Sequence, residues 1–207
     1  MADLSKILLF RMTHIDNISH ILQYGITHVN SPNANTNYVA IGDISLISNR
    51  SSFTMPNGNT LGEYIPFYFG YCMPMLYVIQ KGFNGVKTTP PENIVYCITS
   101  VEQVVAHKLE FVFTDGHAVD ALSSFYNSTE VNDIETFIDK DAINKKYWRA
   151  DNDLDLKRRK EAEFLIKNDV PKNAILGFVV YNISAQKILT NLGITEQKAV
   201  IKNTYYF

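Results

Sequence analysis

The sequence predicts one α+β domain: a mostly antiparallel, split β-sheet core with flanking helices. Three observations lead there. A chain of 207 residues is long enough for one well-buried core and short for two. Strand-like and helix-like segments follow one another irregularly, without the steady alternation of a doubly wound parallel fold. Hydrophobic residues make up 46% and charged ones 19%, the balance of a globular rather than a disordered protein. No repeat, linker or low-complexity stretch divides the chain, so 1–207 reads as a single domain.

The elements follow in order. Residues 7–10 (ILLF) are a short apolar run that reads as a buried strand. Asp16 is placed to cap a helix whose apolar positions Ile18, Ile21 and Leu22 recur at helical spacing, and Gly25 is placed to stop it. Residues 27–38 are rich in Asn, Ser, Pro and Thr, a loop long enough to suggest a lid or binding loop. Residues 64–69 have strand propensity, with Pro66 setting them near an edge or at a bulge. Pro74 opens a helix to Lys81, 94–98 is the clearest strand, 101–108 is helical, and 111–113 is a strand ending at the Asp115-Gly116 turn. Helices are expected over 118–126 and 141–148, joined by a polar connection. Strands are expected over 163–166 and 174–181, a helix over 184–192 and a last strand over 199–201.

Composition and motifs remove several function classes. A net charge of −2 does not advertise a duplex-coating protein, although an enzyme touching a few nucleotides needs only a local basic patch. No run approaches the roughly 18 apolar residues of a membrane span, and the apolar run near Met1 is too short for a signal peptide. A cytoplasmic protein with no membrane partner is the expectation, its two cysteines, Cys72 and Cys97, being buried thiols in a reducing compartment. Asp151, Asp153 and Asp155 imitate the start of a calcium loop, but Leu156 and Ala162 stand where Gly and Glu belong. His14, His20 and His28 lack zinc spacing, and no dinucleotide, P-loop or serine-nucleophile motif occurs; no metal is expected.

What survives is acidic and basic. Glu161 and Glu163 lie where a charged run gives way to an apolar strand, and strand periodicity sets both carboxylates on one face. Two readings stay open: a salt-bridge cluster at the sheet edge, with Lys157-Arg158-Arg159-Lys160 relieving the repulsion, or a catalytic carboxylate. Arg50 ends the apolar segment 41–47. It reads either as a surface residue or as the guanidinium that a dinucleotide cleft needs beside its carboxylate.

Several segments, taken together and in order, resemble the DarT family of NAD⁺-dependent DNA ADP-ribosyltransferase toxins. They are 13–17 (THIDN), Arg50, 64–69 (YIPFYF) with 74–77 (PMLY), 111–118 (FVFTDGHA), Tyr147-Trp148, and 159–165 (RKEAEFL), covering about 7–180. The resemblance implies an ADP-ribosyltransferase-like fold and a toxin that moves ADP-ribose from NAD⁺, its co-substrate, to thymine or guanine in single-stranded DNA. It also implies a DarG-like macrodomain antitoxin as partner. Glu163 matches the catalytic glutamate, which holds the nicotinamide ribose while an oxocarbenium-like state forms. Arg50 matches the arginine between NAD⁺ and the reacting base. Arg11, Met12, Thr13 and His14 fall on the segment that grips nicotinamide, with Arg11 where relatives carry histidine. Glu161 stands where relatives often have Gln, a position that helps to select the acceptor. By the same resemblance the polar loop 26–42 is a lid over NAD⁺, and 118–148 contacts the acceptor. Lys145, Lys146 and Arg149 are then candidates for phosphate contacts, and Tyr147 and Trp148 for stacking on a base, unless Trp148 is a core anchor. The alternatives are transfer to protein or RNA, a metal-dependent nuclease built on Asp151, Asp153, Asp155, Glu161 and Glu163, and a catalytically dead binding module.

Overall fold

The computed structural model describes residues 1–207. Eight strands form one sheet: β1 (Leu8–His14), β2 (Tyr64–Tyr68), β3 (Ile94–Ser100), β4 (Phe111–Thr114), β5 (Phe125–Tyr126), β6 (Glu163–Lys167), β7 (Gly177–Val180) and β8 (Ala199–Ile201). Their order across the sheet is β5-β4-β6-β2-β1-β3-β7-β8, and every pair is antiparallel except β7 with β8. The eight helices are α1 (Ile18–Tyr24), α2 (Ile44–Arg50), α3 (Pro74–Lys81), α4 (Val101–Ala106), α5 (Ile134–Phe137), α6 (Lys140–Asn144), α7 (Leu156–Lys160) and α8 (Ile183–Asn191). None is long and apolar enough to cross a membrane.

The expected split in the sheet falls between β1 and β2. β1 pairs with β3 over seven residues and β2 with β6 over five, yet β1 and β2 share the single pair Phe10↔Tyr68. Pro66 is one cause. Its carbonyl points across the seam, where Arg11 Nη1 donates to it at 2.9 Å. Because N–H and C=O of one strand residue face the same side, the missing Pro66 N–H costs nothing in the ladder with β6. A proline in the middle of the strand order is therefore locally at an edge, as the sequence suggests.

One face of the sheet carries the main core, in which Leu9, Phe67, Val95, Phe113 and Phe164 are buried. The opposite face has two smaller apolar clusters, one around Phe10, Tyr96 and Tyr206, the other around Leu61, Tyr64 and Leu165. Local sequence explains several element ends. Gly25 closes α1 at φ 84°, where a side chain would collide with the Val170 carbonyl. Pro74 stands at the first turn of α3, and Gly82 closes it in the left-handed region. Both cysteines are free and buried.

Four expectations need correction. Asp16 caps nothing: its own N–H is bonded by His14 Nδ1, and a 3-10 turn over Ile15–Asn17 leads into α1. Residues 118–126 are not helical but a turn-rich loop ending in β5, because Asp120, Ser123 and Asp115 bind nearby main-chain groups instead. The helix expected over 141–148 is α6, ending at Asn144. Beyond it the Lys160 ammonium takes the carbonyls of Ile143 and Lys145 and draws the chain off the helix axis. The strand expected over 174–181 begins on the last residue of a 3-10 turn and pairs as a strand only over Gly177–Val180.

Phe164 is fully buried and packs at ring-centroid distances of 4.7 Å from Phe111 and 6.0 Å from Phe69. Phe164→Ala is expected to cost about 3–5 kcal/mol of stability. Urea unfolding checks this: the midpoint should fall with an unchanged slope, and a loss below about 1 kcal/mol would remove Phe164 from the core.

Candidate active site

Glu163 opens β6 and is 1% exposed, a position that no carboxylate occupies without partners. Each oxygen has one. Oε2 accepts from Arg50 Nη1 at 3.0 Å, and Oε1 accepts from the Ala118 N–H at 3.0 Å. His117 Nε2 stands 3.9 Å from Oε1. The Glu163 N–H is bonded to Thr114 Oγ1, which in turn donates to the Gly116 carbonyl, so β4 and its turn are locked to the start of β6. α2 delivers Arg50: Asp43 caps that helix through the N–H groups of Ser45 and Leu46, and Arg50 is its last residue.

Arg50 also lines a cavity of about 490 Å³, within the range of small-molecule sites. Its walls come from Arg11, Met12 and Thr13 on β1, from Asn17 and Ile21, from the loop between α1 and α2, from Tyr64 and Tyr68 at the seam, from Met75 and Ile79 on α3, and from His117 and Val119. The two apolar clusters part where the cavity opens, since Ile41 and Ile79 belong to one and Leu61 and Tyr64 to the other. Arg50 Nη2 is buried and has no hydrogen-bond partner, a donor that only an acceptor inside the cavity would satisfy. Burial holds the His117 imidazole below its usual pKa, with the nearby Glu163 carboxylate opposing, so its ring is neutral at pH 7. Burial, with the Glu163 and Glu161 carboxylates, pushes the Tyr68 phenol far above its usual range; Tyr68 faces Glu163 across the β2–β6 ladder.

The loop over the cavity is pinned at both ends. The Asp169 carboxylate accepts from the His28 N–H and Ser31 Oγ, and buried Asn17 bonds both the N–H and the carbonyl of Val39. Asn17 Nδ2 also donates to Thr13 Oγ1, tying the loop to β1.

Of the residues singled out in the sequence, Arg50 and Glu163 meet, and Arg11, Met12 and Thr13 line the cavity beside them. The His14 side chain lies outside the cavity, occupied with Asp16. Glu161 is not on the strand with Glu163. It terminates α7, and Lys157 Nζ stands 4.0 Å from its carboxylate. The basic run does not collectively relieve an acidic pair, for its four members point to four places. Lys157 faces Glu161. Arg158 bonds Asp155 and Asp115. Arg159 pairs with Asp139, Asp153 and Asp155, and Lys160 is fully buried on main-chain carbonyls. Asp153 and Asp155, two of the five acids of the nuclease reading, are thus engaged by arginine. Tyr147, Trp148 and Arg149 lie outside the cavity, where Trp148 packs edge-on against Tyr77 and Phe207 and Tyr147 stands exposed beside Phe207. His117, Tyr68 and Asn17 were visible only as letters of recognised segments; contacts with Glu163, 46 and 95 residues away, place the first two, and Val39, 22 residues away, places Asn17.

Comparison with known proteins points one way. The family model described as "DarT: ssDNA thymidine ADP-ribosyltransferase, DarT" matches residues 10–207. A DNA ADP-ribosyl transferase of Escherichia coli O127:H6 (strain E2348/69 / EPEC) is 36% identical over 180 residues, 86% of this chain and 81% of the relative. A DNA ADP-ribosyl transferase-DNA ADP-ribosyl glycohydrolase fusion protein of Thermosipho africanus is 28% identical over 185 residues, 89% of this chain and 44% of the fusion. Among solved structures, Thermus sp. 2.9 DarT in complex with ADP-ribosylated ssDNA superposes with a TM-score of 0.82 at 27% identity, covering 97% of this chain and 96% of that one. The same protein in complex with NAD⁺ gives 0.78 at 28% identity, covering 100% and 99%.

Glu161 yields a pH signature. Its carboxyl is 8% exposed, and burial pushes it up to about 7 from 4.5, with Lys157 opposing and Glu163 adding to the rise. Between those two pH values the folded state holds a proton that the unfolded state has lost. Stability from this group is therefore complete below about pH 4.5 and declines as pH rises to about 7. Glu161→Gln should be more stable than the wild type at pH 8, by something on the order of 1–3 kcal/mol, and similar to it at pH 4. Urea unfolding at the two pH values measures it; equal stabilities at pH 8 would refute the buried charge.

Proposed function

The chain belongs to the DarT family of single-stranded DNA thymidine ADP-ribosyltransferases, and on that premise we propose that it transfers ADP-ribose from NAD⁺ to thymine in single-stranded DNA, releasing nicotinamide. The observation that carries this reading is the Arg50–Glu163 pair, 3.0 Å apart, whose arginine lines a dinucleotide-sized cavity.

In this reading the cavity receives NAD⁺, with Arg11, Met12 and Thr13 along the nicotinamide end and the pinned loop over it. His14, busy with Asp16, contributes no side-chain contact. The orphaned Arg50 Nη2 suits a phosphate or ribose oxygen. Glu163 then does the electrostatic work. The bond from nicotinamide nitrogen to the ribose carbon breaks with both electrons leaving on nicotinamide, which departs neutral. The sugar passes through an oxocarbenium-like state, and a carboxylate fixed by the Ala118 N–H and Arg50 stabilises that positive charge without having to reorient. The base nitrogen then bonds the same carbon and gives up its proton, for which Glu163 and the neutral His117 are the two acceptors at hand. A single-stranded acceptor fits, because the pairing edge of a base is hidden in a duplex.

The exposed Lys145, Lys146, Tyr147 and Arg149, with Trp148 and Phe207 between them, make the surface we assign to the acceptor strand. Glu161, buried behind the site, influences acceptor choice only through its neighbours. We assign the whole of 1–207 to one working domain, because the cavity and Glu163 together draw on β1, β2, β6, α2, α3 and the loop after β4. The fusion relative joins a transferase to a glycohydrolase, which supports a separate DarG-like macrodomain antitoxin as the partner that reverses the modification. A cytoplasmic toxin acting on the cell's own DNA follows from this reading.

Mass spectrometry of short single strands incubated with NAD⁺ tests it. Thymine-containing oligonucleotides should gain one ADP-ribose. Glu163→Ala should lower the rate by a factor on the order of 10³ and Arg50→Ala by about 10², both variants remaining folded. Adducts formed equally well without Glu163 would end the assignment, and adducts on RNA or protein alone would move the acceptor.

A further inference from the structure

Of the segment 111–118, only His117 lines the cavity and only the Ala118 N–H reaches the Glu163 carboxylate; the turn that carries both has so far no role in the reaction. Its turn is unusual in what holds it. Between Thr114 and Phe125 the chain has no helix or strand, yet this stretch supplies both the Ala118 N–H on Glu163 and the His117 ring. One side chain stands at its centre. Arg158 is 13% exposed; its Nε and Nη2 bond the two oxygens of Asp155 at 2.7 and 2.9 Å. Its Nη1 bonds Asp115 Oδ1 at 3.0 Å and Ser123 Oγ at 3.3 Å. Each of those partners passes the constraint on. Asp115 Oδ1 also accepts the Ser124 N–H, Ser123 Oγ donates to the His117 carbonyl, and the His117 N–H donates to the carbonyl of Arg158 itself. Gly116 has no side chain because one would collide with the guanidinium.

We propose that Arg158 is a positioning residue for the transfer reaction: through Asp115 and Ser123 it fixes the 115–124 turn, and thereby holds the Ala118 amide on the Glu163 carboxylate and His117 beside it. The proposal rests on the function assigned above. A planar guanidinium suits the task, since it bonds Asp155 with Nε and Nη2 and Asp115 with its third nitrogen, Nη1, which an ammonium cannot do in fixed geometry. Asp155 thereby acquires a role, because it orients the guanidinium that orients the turn. The consequence for rate is large because a misplacement of about 1 Å at reacting groups costs about 10²-fold.

The test measures transfer kinetics of wild type, Arg158→Ala, Arg158→Lys and Ser123→Ala on a reactive single strand, with folding followed by circular dichroism. Arg158 does not line the cavity, so Arg158→Ala should lower kcat about 10–100-fold while KM for NAD⁺ stays within about threefold. Arg158→Lys should recover only part of the rate. Millimolar guanidinium or methylguanidinium should raise the rate of Arg158→Ala several-fold and leave the wild type unchanged, which a general loss of stability would not produce. Hydrogen exchange should quicken over 115–124 and not over β1. Should Arg158→Ala not fold, Ser123→Ala, which removes one link, should still show a smaller loss in kcat. A folded Arg158→Ala with wild-type kcat, or a change in KM alone, overturns the proposal. If the wild type itself modifies no DNA, the functional reading has failed instead, and hydrogen exchange over 115–124 alone decides whether Arg158 positions the turn.

Discussion

A carboxylate buried to 1% exposure at Glu163 obliges three distant parts of the chain to meet. Left alone, such a charge would cost several kcal/mol or take up a proton. Here it is satisfied by a guanidinium from residue 50 and an amide from residue 118, and these two contacts tie α2 and the loop after β4 to the first residue of β6. The same contacts fix the direction of the carboxylate. Stability and chemistry therefore draw on one set of bonds, and the charge that is costly to bury is the one that a cationic transition state needs.

The seam between β1 and β2 is the second constraint. An unbroken ladder there would pack the face of the sheet shut. Pro66 has no N–H to give across the seam, Arg11 bridges with its side chain, and the strands pair only at Phe10↔Tyr68. The two apolar clusters on that face part around the opening, and the loop from α1 to α2, held by Asn17 and Asp169, covers it. A cavity bounded by ordered elements on most sides needs little rearrangement to bind a dinucleotide, which limits the entropy lost on binding.

Much of the fold was legible wherever a signal is local. Pro74 opens α3 and Lys81 ends it, Gly25 ends α1, and the apolar runs at 94–98 and 163–166 became strands because their burial needs no information from elsewhere. The failures share a cause. Residues 118–126 have the composition of a short helix, but Asp115, Asp120 and Ser123 bind main-chain groups and Arg158 organises the result from 35 to 43 residues away. Glu161 and Glu163 looked like neighbours on a strand because the end of α7, where the Glu161 N–H bonds carbonyls of the last turn, cannot be read from alternation. In the site, Arg50 and Glu163 each carried two readings from their own surroundings, and resemblance to a family decided between them; a pair 113 residues apart leaves no periodic trace. His117 escaped notice for the same reason, since a lone histidine after a turn becomes a cavity wall only through the company it keeps.

The most direct measurement is a crystal structure of Glu163→Gln with NAD⁺ bound, the amide keeping the size of the carboxylate while slowing the chemistry. The account predicts the dinucleotide in the cavity between β1 and the loop that follows α1. The nicotinamide ribose should touch residue 163, and Arg50 Nη2 should be bonded to the ligand. NAD⁺ bound elsewhere, or with its ribose turned away from residue 163 and Arg50, would contradict it.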